Sequence, residues 1–215
     1  MEMSDKELNF PLIYHQGEAV GYGGNQEWFS HDWKRKAGCG CTSGTNLAAY
    51  YAFNHPDMTG IYDGKTGEFD QVEYVRAMEE MYNFMKPGLM GYPYVKKFGR
   101  QFVKFCREHG VCAEARFCHG FRSREEAFRF VKDSIDGGNP VALLILFHRA
   151  HALREDNWHW VTITGYREDK AHPDETEIIL SNCGERQTVN AHQLFEVHRK
   201  NTIRMVSFRI LQKSE

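Results

Sequence analysis

The spacing of apolar positions changes period near residue 140. Upstream of it the apolar residues recur as on helices. After Gly38-Cys39-Gly40-Cys41 the residues Leu47, Ala48, Tyr50, Tyr51 and Phe53 lie at helical spacing. Thr42 and Ser43 offer N-cap oxygens, so a helix is predicted to begin just after the cysteines. The stretch 54–70 carries Pro56, Gly60, Gly64 and Gly67 and reads as a loop. It ends at Asp70, an N-cap for a second helix with Val72, Val75, Met78, Tyr82 and Met85 inward, stopped by Pro87-Gly88. A third helix is predicted from about Val95 to His109, with Phe98, Phe102 and Phe105 on one face and Gly110 at its end. Ser123 and Glu126 form a capping-box pattern before Ala127, Val131 and Ile135, and Gly137-Gly138 closes this fourth helix. Downstream the runs turn short and β-branched: Val141 to Phe147, His159 to Tyr166, Glu177 to Asn182 and Thr202 to Ile210. Helices first and strands last predict an α+β fold with segregated layers and an antiparallel sheet in the C-terminal half.

Composition narrows the function classes. The 215 residues are 41% apolar and 26% charged, a balance that supports one packed core, and without repeats or a low-complexity linker the expectation is a single domain over residues 1–215. Twenty-seven Lys and Arg against 29 Asp and Glu leave no sequence-wide positive field, so neither nucleic acid nor an anionic membrane is an expected partner. The longest apolar run, Val141 to Phe147, is far shorter than the roughly 20 residues of a spanning helix. Met1 to Glu7 lack the basic and then apolar pattern of a secretory signal, so a cytoplasmic location is expected. Six cysteines at positions 39, 41, 106, 112, 118 and 183 are too sparse for a disulfide scaffold, and a reducing setting leaves at least one free for chemistry.

Cys39 and Cys41 sit where unpaired N–H groups and the helix dipole favour a thiolate. Either can instead be a small buried hydrophobe, so a base decides the matter. His159 is the candidate. It opens a strand on which Val161 and Ile163 share its parity, and an antiparallel return through Glu177 to Asn182 brings Asn182 back beside it as an orienting group. Other sets of ligand-type residues are poorly spaced. His148, His151, Cys112, Cys118 and His119 form no zinc pattern, and Asp57, Asp63, Glu68 and Asp70 lack the order of a calcium loop. No metal or cofactor is implied. Trp28, Trp33, Trp158, Tyr92 and Tyr94 can line a cleft or fill the core.

Three segments carry a resemblance: Tyr22-Gly23-Gly24-Asn25-Gln26-Glu27-Trp28-Phe29, Gly38-Cys39-Gly40-Cys41-Thr42-Ser43, and Trp158-His159-Trp160-Val161-Thr162-Ile163-Thr164-Gly165-Tyr166. Together they resemble papain-like cysteine peptidases of the bacterial double-glycine-leader type and their stand-alone relatives, over most of the chain. The resemblance implies a papain-like fold, Cys39 as nucleophile at the start of its helix, and His159 as base. Ser181-Asn182-Cys183-Gly184 is similar to the Asn-Ser-Trp-Gly segment of papain and implies Asn182 as third member. Cys41 stands where the group has Pro, and is the rival thiol. Trp33 occupies the place of the group's oxyanion-hole Gln. Gln26, thirteen residues before Cys39, takes that role only if Glu27 to Ala37 form an insertion; otherwise it is a surface amide in a turn. The implied activity is hydrolysis of a peptide or amide bond in a peptide or protein substrate, with no cofactor. Acyl transfer and glutamine deamidation use the same thiol chemistry, and a non-catalytic binding domain or a thiol-based metal or redox module is the reading of a different class. Oligomeric state is not legible.

Overall fold

The structure, a computed structural model, describes residues 3–211. Three short strands open the chain: β1 (Met3–Glu7), β2 (Leu12–His15) and β3 (Glu18–Tyr22). A 3-10 turn over Gln26–Trp28 leads into α1 (Asp32–Ala37), then α2 (Cys39–Asn54). After the loop come the two-residue β4 (Phe69–Asp70), α3 (Gln71–Phe84) and α4 (Val95–Glu108). Next are β5 (Cys112–His119), α5 (Arg124–Asp136), β6 (Val141–Phe147) and β7 (His159–Asp169). β8 (Glu177–Asn182), β9 (Glu185–Asn190), α6 (Ala191–Leu194) and β10 (Thr202–Leu211) complete the described chain.

The fold is α+β, with seven strands in one antiparallel sheet ordered β5-β10-β6-β7-β8-β9. β1 also pairs with β7, from Glu7 opposite Gly165 to Met3 opposite Asp169, continuing the edge of β7 beyond the start of β6 at Val141, opposite Ile163. A smaller sheet, β3-β2-β4, lies beside the loop after α2. Layer segregation is therefore incomplete: strands precede the helices, and β5 falls between α4 and α5. β1 to β3 are charged or irregular, and β5 alternates small and polar residues, so neither region carries a strong apolar period.

β7 is the central support. Trp160 stacks on Phe98 of α4 with ring centroids 4.3 Å apart, and its indole N–H donates to the Tyr92 carbonyl at 2.7 Å. Thr162, two residues on, meets Asn46 of α2, so this face carries α2 and α4. An irregularity between Ile163 and Gly165 changes the parity, and Tyr166 points to the other face, where it meets Phe128 and donates to Asp136 of α5. β6 is buried along all but its last residue, as a strand covered on both faces must be.

Caps follow the sequence reading with corrections. Asp70 accepts from the N–H groups of Val72 and Glu73, and Ser123 accepts from Glu126. The Glu126 carboxylate returns to the N–H of Arg122, one residue before the expected partner. Thr42 and Ser43 are not caps. α2 begins at Cys39 with Gly38 as N-cap, and the Thr42 hydroxyl donates back to the Gly38 carbonyl at 3.1 Å. In α3 it is Tyr74, Met78, Met81 and Tyr82 that are buried, whereas Val72, expected inward, is 52% exposed in the first turn. Of the cysteines away from the α2 start, Cys106 and Cys118 are buried, and Cys112 is exposed on the sheet-edge strand β5.

Candidate active site

Cys39 is the first residue of a sixteen-residue helix whose first turn holds no acidic side chain. The free N–H groups and dipole there favour a negative sulfur. Burial pushes the Cys39 thiol up, but the hydrogen bond and charge of His159, with the backbone N–H groups of Trp160 and Gly40, outweigh it and hold the thiol below its ordinary range. His159 responds in the opposite sense. Burial alone depresses an imidazole, yet its hydrogen bonds to Cys183 and Cys39 and their charge raise it well above the ordinary value. The two groups are shifted toward a thiolate and an imidazolium.

Asn182 closes the set. β7 and β8 pair with Thr162 opposite Ser181, so the register carries Asn182 to the neighbourhood of His159. The distance from His159 Nε2 to Asn182 Oδ1 is 2.9 Å. Two backbone positions beside this pair lie in the left-handed region: Trp158, just before His159, at φ 62°, and Cys183, just after Asn182, at φ 47°. Cys183 and Gly184, at φ 80°, form the two-residue turn from β8 to β9, a geometry that favours Asn or Gly at the first position. A non-glycine residue held in this region costs of order 1–3 kcal/mol.

The rival thiol changes. Cys41 is fully buried, donates to the Met85 carbonyl at 3.3 Å, and is pushed up by burial and by the charge of Cys39. Cys183 is the exposed thiol near the imidazole, 3.6 Å from His159 Nε2. That nitrogen already has Asn182 Oδ1 as its closer partner, which leaves it poorly placed to take a proton from Cys183.

Gln26 lies with Cys39, His159, Trp160, Ser181 and Cys183 around one cavity of about 10 Å³. That is room for roughly one water-sized oxygen. The separation from Cys39 is taken up by the rest of the 3-10 turn, a short link and α1, so residues 27–37 fold out and the chain returns. Gln26 Oε1 is buried and has no hydrogen-bond partner among the described residues. A buried amide end of this kind costs about 1–3 kcal/mol unless a ligand meets it. The segment is anchored by Tyr22 N–H to the Gly184 carbonyl at 2.7 Å and by Gly24 N–H to Asn46 Oδ1 at 2.8 Å. Gly23, at φ 73°, admits no side chain, since a Cβ there would stand 2.5 Å from Ser181 Oγ.

Asp156, Gln187 and Asn46 also belong to the site's surroundings, and no sequence pattern marked them. Asp156 lies in a polar loop, Gln187 on an exposed strand, and Asn46 inside an apolar helix. The aromatic residues divide: Tyr92 is buried, Trp28 packs edge-on against Tyr74, and Trp33, Tyr94 and Trp158 are exposed. Larger grooves of about 760 and 800 Å³ contain neither Cys39 nor His159. One set of metal-type side chains among the described residues converges, Asp169, His172 and Glu175, on a surface turn where Asp169 already accepts from two backbone N–H groups. No helix among the described residues is long and apolar enough to cross a membrane. No known protein family matches the sequence, and no curated protein matches it.

Proposed function

We propose that the protein is a thiol-dependent hydrolase of peptide or amide bonds, a cysteine peptidase of papain-like type, with Cys39, His159 and Asn182 as its triad. One observation carries the reading: His159 is held by a buried asparagine at 2.9 Å and is electrostatically coupled to the helix-terminal Cys39, so that thiol and imidazole are shifted in opposite directions. The papain-like fold is part of the same proposal. It is supported by α2, which presents Cys39 at its N-terminus and packs on an antiparallel sheet bearing His159 and Asn182.

In this mechanism His159 takes the Cys39 proton and holds it as an imidazolium, while Asn182 Oδ1 accepts from Nε2–H and fixes the ring. The thiolate attacks the carbonyl carbon of the scissile amide. The carbonyl oxygen becomes an oxyanion in the small cavity, where the Cys39 backbone N–H and the Gln26 amide N–H donate to it; for that role the Gln26 amide is turned so that its nitrogen occupies the unpartnered position. His159 then protonates the leaving amine as the C–N bond breaks, giving a thioester. Water, deprotonated by His159, attacks the thioester carbonyl and restores the thiol. An amine acceptor in place of water gives acyl transfer, and a glutamine side chain as substrate gives deamidation.

The test is alkylation by iodoacetamide at about pH 5–6, where an unperturbed thiol is almost wholly protonated. We expect wild type to react much faster than free cysteine. Cys39→Ala should abolish the fast phase, while Cys41→Ala and Cys183→Ala retain it. If the fast phase follows Cys183 or Cys41, the nucleophile is misassigned; if no thiol outpaces free cysteine, the enzyme reading fails.

A further inference from the structure

Asn182 is 8% exposed, so both hydrogens of its amide need protein partners. They have them. Nδ2 donates to Asp156 Oδ1 at 3.0 Å and to Gln187 Oε1 at 3.1 Å. Gln187 is fixed in turn, because its Nε2 donates to Glu185 Oε2 at 2.9 Å. Neither amide can turn over without setting a carbonyl oxygen against an acceptor. Asn182 must therefore present Oδ1 to His159, and Nε2 must carry the hydrogen between them.

We infer that Asp156, with Glu185 acting through Gln187, is a positioning residue that fixes the Asn182 amide and adds to the preference of His159 for its charged form. This rests on the triad reading for its catalytic meaning but not for its geometry.

The connection from β6 to β7, residues 148–158, is built to deliver Asp156. Leu153 anchors it at 1% exposure, and Asn157 Oδ1 accepts from the N–H of His148 at 2.7 Å. His148 Nδ1 accepts from Ala150 N–H at 3.1 Å, and Trp158 N–H reaches back to the Leu146 carbonyl. Trp158 closes the loop at positive φ, a conformation costly for a bulky side chain. The loop thus turns sharply at the residue joining Asp156 and Asn157 to His159.

The titratable groups around His159 are Cys39 from α2, Cys183 from the β8–β9 turn, Asp156 from this loop, and Glu185 at one remove through Gln187. A carboxylate on the far side of Asn182 favours the imidazolium. Removing its charge moves the His159 titration to lower pH and reduces the thiolate fraction that Cys39 holds by pairing with it.

The test is His159 titration followed by imidazole NMR, with iodoacetamide alkylation of Cys39 in parallel. Asp156→Asn keeps an acceptor for Asn182 but removes the charge; Asp156→Ala removes both. We expect Asp156→Asn to shift the His159 titration to lower pH and to slow alkylation at about pH 6 roughly tenfold, the factor that one pH unit represents. Glu185→Gln should shift the titration the same way by less, and it serves as the readout if the Asp156 variants fail to fold. An unchanged His159 titration in folded Asp156→Asn, or in folded Glu185→Gln where Asp156 variants do not fold, overturns the inference. The NMR result decides it whether or not Cys39 proves reactive. Slow alkylation of wild type would overturn the enzyme reading instead.

Discussion

Residues identical in type take different parts here because of where the backbone puts them. Cys39 and Cys41 are two positions apart on one helix, yet His159 holds one thiol below its ordinary range while the other donates to the Met85 carbonyl. Helical geometry turns them about 200° apart, so both cannot face one imidazole. Gln26 is defined similarly, by the cavity it shares with Cys39. A donor acting only on the oxyanion should matter to turnover and not to the reactivity of the free thiolate. Gln26→Ala is therefore expected to lower kcat roughly 100- to 1,000-fold on an amide substrate while leaving the rate of Cys39 alkylation within about twofold. Loss of both together would mean that Gln26 supports the helix start rather than the reaction. The pH dependence of turnover follows from the opposed shifts. Activity should be lost as pH falls through the depressed Cys39 value and the thiolate is protonated. It should be lost again as pH rises through the elevated His159 value and the leaving amine has no acid. A pH profile of kcat/KM for the free enzyme checks both limbs; a plateau through the alkaline side would show that His159 supplies no proton.

At the scale of elements, legibility in the sequence tracked the strength of the period. α3, α4 and α5, with β6, β7, β8 and β10, lie close to where apolar spacing and turn residues put them. β5 was hidden because Cys112, Glu114 and Arg116 alternate with small Ala113 and Ala115, a pattern with little apolar contrast, although it pairs with β10 throughout. α2 is capped by Gly38, four residues before Thr42. Thr42 and Ser43 look like caps in isolation, whereas the backbone of Gly38 makes the turn and their hydroxyls lie inside the helix. His159 and Asn182 were legible because strand pairing is nearly one-dimensional. Asp156 was not, since a loop contact has no period. Asp70, in contrast, acts through a local rule and is testable alone. Its carboxylate accepts from two N–H groups of α3, and Asp70→Ala should destabilise the fold by about 0.5–2 kcal/mol in urea denaturation without altering Cys39 alkylation.

The elements that carry the site converge on one buried polar residue. Asn46, 2% exposed within α2, meets four other parts of the chain with all the bonding capacity of its amide. Its Oδ1 accepts from Gly24 N–H at 2.8 Å and from the Tyr74 hydroxyl of α3 at 2.7 Å, while Nδ2 reaches Thr162 of β7 at 3.4 Å and Ser181 of β8 at 3.3 Å. The Ser181 hydroxyl in turn donates to the Tyr22 carbonyl at 2.7 Å. The segment bearing Gln26, the helix bearing Cys39 and the strands bearing His159 and Asn182 are thus held in mutual register by a single amide. Hydrophobic packing is non-directional and would tolerate small sliding of these parts; a satisfied buried network does not. Asn46→Ala leaves Gly24 N–H and the buried Tyr74 hydroxyl without an acceptor, each at a cost of about 1–3 kcal/mol. Asn46→Asp keeps the acceptor for both and loses the donors toward β7 and β8. We expect Asn46→Ala to lower stability by about 2–5 kcal/mol in chemical denaturation. Folded Asn46→Asp should retain more stability yet lose fast Cys39 alkylation, because α2 is then no longer tied to the strands carrying His159 and Asn182. Equal stability losses in the two variants, with alkylation unchanged in Asn46→Asp, would show that core packing alone sets the register of the site.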